Sequence, residues 1–313
     1  MTFVTMTSQR MSALFGQLIL AGSLVLPPLC AAADPQRFAT PDAAVEAFVA
    51  ALRANDEAAL VSIFGDKYKG LVTTGDAAYD TAVRTSFAAH LASFHVLEED
   101  GDDRRVLLVG AQAWPLPIPL VRERNEWRFA TERGAEELIN RRIGRNERSA
   151  IQVLRAYLDA QREYASEDRD GDGVLQYAQK IDSTPGKFDG LYWPANTDEG
   201  EQASPFGPLV AAASAYLVGH KPGDPYRGYY FRILTRQGKN APGGAYSYLI
   251  NGRMIAGFAM VAYPAAYDES GIMTFIVSHN GKIFEKNLGP NTARVAANMS
   301  SFDPGAGWKE TPP

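Results

Sequence analysis

The chain has 313 residues, 46% of them hydrophobic and 21% charged, with a formal net charge of −5. This composition excludes a disordered or collagen-like polymer, and the acidic balance disfavours a protein that lives on nucleic-acid phosphates. The length predicts two domains rather than one.

Residues 1–33 read as an export signal. Arg10 is the only charged residue before Asp34, the stretch Met11–Leu26 is mostly apolar, Pro27 and Pro28 break it, and Ala31-Ala32-Ala33 fit the small-residue cleavage rule. The apolar run has 16 residues, fewer than the roughly 20 a membrane span needs, so no stable span is expected after cleavage. Leu29 stands before Cys30, where bacterial lipid attachment prefers a small residue. Cys30 leaves with the signal, and a body without thiols has no disulfide, no thiolate metal site and no cysteine nucleophile.

Residues 34–133 are expected to form an α+β domain. Thr40-Pro41 starts a helix with an N-cap and a proline in the first turn, and Val45, Phe48, Val49 and Leu52 mark its apolar face. A second helix is expected over Asp56–Phe64 with Gly65 as its stop, and a third over Thr81–Ser93. Strands are expected over Phe94–Glu98, Arg104–Val109 and Arg122–Ala130. The proline-rich run Trp114–Leu120 fits an edge or wall segment. Helices followed by a small antiparallel sheet suggest a cone of the nuclear-transport-factor-like kind, by pattern analogy.

Residues 134–148 are expected to be an Arg-rich linker helix, interrupted over Arg141–Arg148. In the C-terminal domain, 149–313, Ser149 caps a long helix with Ala150, Ile151, Leu154, Tyr157, Leu158 and Ala165 on one face. Strands are expected over Tyr229–Arg236, Ala245–Ile250, Arg253–Ala262, Ile272–Ser278 and Lys282–Asn287, with Asn251-Gly252 and Asn280-Gly281 as turns. They form an antiparallel meander of about five strands packed on the Ser149 helix.

Several long strings carry a resemblance. Arg141–Glu147 (RRIGRNE), Asp189–Pro194 (DGLYWP), Ser204–Pro208 (SPFGP) and Gly228–Leu234 (GYYFRIL) are joined by Gln237–Ala245 (QGKNAPGGA), Gly257–Ala259 (GFA), Gly271–Val277 (GIMTFIV) and Leu288–Thr292 (LGPNT). Through them the body resembles, nearly end to end, a bacterial family known as domain of unknown function 2950. The resemblance implies an exported, envelope-associated protein and no defined activity. Over the second half, Ala150–Tyr164 and the Gly-Tyr strand look like the globular head of pilin-like proteins. No long apolar helix precedes Ser149 to pack a filament, so that likeness implies a soluble head only.

Three groups are candidate sites. Asp168, Asp170 and Asp172 with Gly173 have the first half of a calcium loop, whose alternate residues point oxygens inward. Position twelve is Gln179 where a bidentate acid is usual, and the alternative is a solvated acidic helix end with a glycine stop. Calcium is the only cofactor this pattern raises. Next, Arg104–Arg155 holds 11 Arg and 6 Glu. Arg141, Arg142 and Arg145 within it either clamp the two domains or hold an anion, or they only solvate a helix face with Glu137 and Arg141 paired at i, i+4. Last, Gln237–Gly244, with Gly243 and Gly244, is a permissive turn among aromatics that include Tyr192, Trp193, Tyr229, Tyr246, Tyr248 and Tyr263. It suits glycan or protein contact, or forms a tight hairpin over an aromatic core.

Catalysis has little support. His90, His95, His220 and His279 lack metal-ligand spacing, and no nucleophile-elbow, zinc-protease or phosphate-loop motif occurs. Asp189 and Glu199 are acids that a hydrolase pair would need to bring together. The leading expectation is therefore a non-catalytic, exported protein that binds or assembles in the cell envelope, with a protein or glycan partner. An envelope hydrolase, or an accessory of a secretion or pilus-like machine, are the alternatives.

Overall fold

The computed structural model describes residues 33–169, 171–195, 201–212 and 223–312. The export signal with Cys30, and Asp170, Glu199 and His220, lie outside the described residues. The fold is α+β. Residues 32–313 form one compact unit, within which two hydrophobic cores are distinct.

The first core gathers helices α1 (Pro41–Arg53), α2 (Glu57–Phe64), α3 (Lys69–Val72) and α4 (Ala77–Ser93) over an antiparallel sheet. The side chains of Thr40, Asp56 and Asp76 cap α1, α2 and α4 by accepting from backbone amides of the first turn. Helix α4 begins four residues earlier than the apolar pattern alone indicates, because Asp76 and not a residue near Thr81 provides the cap. The sheet strands are β1 (His95–Glu99), β2 (Arg104–Val109), β3 (Trp114–Pro115), β4 (Leu120–Glu123) and β5 (Glu126–Phe129). Their order is β1-β2-β4-β5, with β3 paired to β2. The single strand expected over Arg122–Ala130 is instead the hairpin β4–β5. Arg124 and Asn125 both take positive φ, 51° and 72°, and turn the chain there. In the middle of this core Phe48 packs edge-on against Phe64 and Phe129, which tilt against each other, ring centres 5.3–5.5 Å apart.

Helix α5 (Ala135–Tyr164) runs without a break for 30 residues, about 45 Å. The expected interruption over Arg141–Arg148 does not occur, so 134–148 is the first half of this helix. Its buried stripe continues through Arg142, Asn146 and Ser149 into Val153, Tyr157, Gln161 and Tyr164. Three of the N-terminal members are polar, which hides the helical period from an apolar count. Gly134 precedes the helix where a Cβ would lie 2.3 Å from the Pro117 carbonyl oxygen.

The second core is built on α5 and a sheet of order β14-β13-β12-β11-β6. After α6 (Gly207–Ala212) the strands are β6 (Tyr229–Leu234), β7 (Arg236–Gln237), β8 (Tyr246–Ser247), β9 (Leu249–Ile250), β10 (Arg253–Met254), β11 (Ala259–Pro264), β12 (Met273–Ser278) and β13 (Ile283–Asn287), then α7 (Thr292–Ala297) and β14 (Lys309–Glu310). The meander has five strands, as expected, but different members. The long strands expected over Tyr229–Arg236, Ala245–Ile250 and Arg253–Ala262 each break, and their pieces form separate ladders, β7–β8 and β9–β10. No described helix is long and apolar enough to cross a membrane.

Candidate functional site

Helix α4 turns an unusual stripe inward. Asp80, Arg84 and Leu91 are its buried residues, and Asp80 and Arg84 are charged. Each is held locally. Asp80 accepts from the Thr74 amide (2.9 Å) and the Thr74 hydroxyl (2.8 Å). Arg84 donates to the Asn55 side-chain carbonyl and to the Val72 carbonyl. Burial pushes the Asp80 carboxyl above the usual carboxylate range, against the opposing pull of Thr74 and Arg84.

Behind these groups lies a cavity of about 680 Å³ between the helices and the sheet of the first core. Phe48, Leu52, Leu60, Phe64, Val109, Leu116 and Ile118 line its buried end. Thr74, Asp80, Arg84 and Arg142 stand in its wall, while Val83, Gln112, Arg141 and Arg145 are exposed lining residues at its mouth. Trp114 and His90 join the rim; the Arg141 guanidinium lies over the Trp114 ring at 5.5 Å.

The structure brings Arg141, Arg142 and Arg145 to this one cavity, in different states. Arg141 pairs with Glu137 on the same helix face. Arg142 is buried and donates to the carbonyls of Gly70, Leu71 and Glu269, joining α3 in the first half to a loop of the second. Burial lowers its pKa from the ordinary range, opposed by Tyr79, Asp80 and Glu269 nearby. Arg145 is exposed and forms no hydrogen bond or ion pair among the described residues.

The other sequence candidates lie elsewhere. Asp168 accepts from the amides of Gly171, Asp172 and Gly173. Asp172 Oδ2 takes both Nε (2.9 Å) and Nη2 (2.6 Å) of Arg253. Gln179 donates to the Gly252 carbonyl, so the acidic loop is fastened to the Asn251-Gly252 hairpin. Among the described residues, no group of three or more His, Cys, Asp or Glu is placed to hold a metal ion. Gln237 is buried, and its side chain donates to the carbonyls of Pro242 and Gly244 and accepts from the Tyr248 hydroxyl. The turn is folded around that amide, with Gly243 and Gly244 at φ of 87° and 75°. Trp193 is buried with its indole N–H on the Gln202 carbonyl and Arg169 over its ring; Tyr192 is half-buried beside it. Asp189 accepts from Lys180 and from the amide and hydroxyl of Thr184. Burial would raise its carboxyl, but these contacts outweigh burial and bring it down to about 2.

Sequence reasoning missed Thr74, Tyr79, Asp80, Arg84, Trp114 and the apolar lining. A signal was present: Asp80, Arg84, Phe87 and Leu91 keep a helical i, i+4, i+7, i+11 spacing that puts two charges on the inward face.

A family model described as Protein of unknown function (DUF2950) matches residues 35–311. No curated protein and no solved structure matches the chain.

Proposed function

The chain belongs to the DUF2950 family, and from that premise we propose that it is an exported cell-envelope protein that works by binding, with a small apolar molecule seated in the cavity of its first half. The cavity carries this function. Protein interiors are close-packed, with few voids larger than a water molecule. A space of about 680 Å³ belongs to the range of ligand pockets, roughly 300–1,000 Å³. Because the cavity opens to solvent at its mouth, its apolar lining faces water when no ligand is bound; a hydrocarbon removes that area from water. Export is supported by the order of Arg10, the Met11–Leu26 apolar run and the Ala31–Ala33 cleavage pattern.

One preparation tests both parts. Protein recovered from the osmotic-shock fluid is expected to have the mass of a chain beginning at Asp34. Titrated with octan-1-ol, decan-1-ol and dodecan-1-ol, it is expected to bind each, about fourfold more tightly per added methylene, or ~0.8 kcal/mol, until the cavity is full. Val83 is 43% exposed, so Val83→Trp should obstruct the mouth and weaken uptake at unchanged melting temperature. No uptake of any alcohol, or uptake indifferent to this substitution, refutes the cavity as the site. Full-length precursor confined to the cytosol refutes export.

A further inference from the structure

We infer that the ligand is an anionic single-chain amphiphile, held tail-in with a carboxylate or phosphate head at Arg145 and Arg141, an inference that rests on the cavity being a ligand site. Among the described residues that line the cavity, four are arginines and one, Asp80, is an acid. The charges sort by depth. Arg84 and Arg142 have their N–H groups on Asn55 and on backbone carbonyls. Asp80 is buried, with its oxygens on Thr74. Arg141 leans on Trp114 and pairs with Glu137.

Arg145 is what remains: a guanidinium at the mouth, one helical turn from Arg141 on α5, without a carboxylate partner among the described residues. Arg84 and Arg142 also form no salt bridge among the described residues, but Asp80 and Glu269 lie close enough to offset their charge, so the uncompensated positive charge is the one at the mouth, on Arg145. An acidic head at the rim meets a fork of N–H donors suited to carboxylate or phosphate oxygens and stays partly in water. The hydrocarbon tail reaches past Val83 toward Phe48, Leu60 and Phe64. A cationic head would be repelled by Arg145.

The test uses three probes of equal chain length, dodecan-1-ol, dodecanoate and dodecyl phosphate, titrated calorimetrically into the purified protein at low salt. An anion is expected to bind at least fivefold more tightly than the alcohol, and 0.5 M salt should shrink that margin while leaving the alcohol's affinity in place. Arg145→Gln should remove about fivefold of the anion affinity and a markedly smaller share of the alcohol's; Arg145→Glu should place the anion below the alcohol. A margin shown by dodecanoate alone assigns a fatty-acid head, and by dodecyl phosphate alone a phosphate head. Either supports the inference. If the alcohol binds and neither anion binds more tightly, the head assignment is overturned while the cavity remains a ligand site. If none of the three binds, the cavity itself is refuted.

Discussion

Asp80 is a carboxylate on the inward face of α4, where it accepts from the amide and hydroxyl of buried Thr74. Its folded-state pKa is raised above the ordinary 3.8, with burial as the leading cause. An acid shifted in this direction stabilises the fold below its unfolded pKa. That contribution is lost as pH rises through the folded value, because the native state holds the proton longer than the unfolded chain. Asp80→Asn keeps a carbonyl for the Thr74 amide and cannot ionise. Its stability relative to the wild-type protein should therefore improve steadily as pH rises from about 3.8 through the raised value, measured by urea unfolding at a series of pH values. A constant difference across that range would show that Asp80 ionises as freely in the fold as out of it. Asp80 was legible only as one charge on a helix, since its partner Thr74 precedes the helix and its neighbours come from other elements. The arginines were easier to find, because Arg141, Arg142 and Arg145 crowd five positions. What the sequence could not separate is which of them is buried on carbonyls and which stands free at a mouth.

Among the elements, α5 shows where periodicity misleads. A count of apolar residues reads a break over Arg141–Arg148, because Arg142 and Asn146 in its buried stripe are polar and Ile143 alone there is apolar. Gly144 adds to the impression of a break, yet it sits inside the helix and a Cβ there would meet only the end of the Arg148 side chain at 3.7 Å. Glycine in a helix interior loses more backbone freedom on folding than alanine. Gly144→Ala should accordingly stabilise the protein by ~0.5–1 kcal/mol, seen as a higher urea midpoint at unchanged slope. A lower midpoint would mean that α5 needs the glycine for a bend or an approach that the contacts do not reveal. The strands teach the same lesson from the other side. Asn251-Gly252 correctly announced a hairpin, but the runs flanking it were too long, because backbone at Tyr248 and Ala256 leaves the ladder to hydrogen-bond across the loop. A composition of β-formers does not record such local exits.

At the scale of the whole molecule, the two cores meet at one joint, and three of the family strings converge on it. From RRIGRNE, Arg142 donates to the Glu269 carbonyl, Asn146 donates to the Ser270 carbonyl, and Glu147 accepts from the amides of Ile272 and Met273 at the start of GIMTFIV. The first residue of GYYFRIL, Gly228, gives its amide to Asp76, the cap of α4. A Cβ on Gly228 would stand 2.7 Å from the Asn146 amide nitrogen. The physical content of these strings is a seam that fixes the cavity wall of the first half to the sheet of the second. Arg142 is the side chain that spans it, since its other donors hold Gly70 and Leu71. Arg142→Ala removes a buried charged donor from three carbonyls and should cost about 2–4 kcal/mol. Arg142→Lys should recover little, because an ammonium cannot replace a planar fork aimed at three oxygens. The loss should also be uneven. The first core is the smaller of the two, so amides of β5 should exchange hydrogen at lower denaturant than amides of β12 in the Arg142→Ala protein, whereas in the parent chain both should open together. Equal shifts in the two strands would mean that the halves fold as one body without this arginine, and the seam would then rest on Asn146, Glu147 and Gly228 instead.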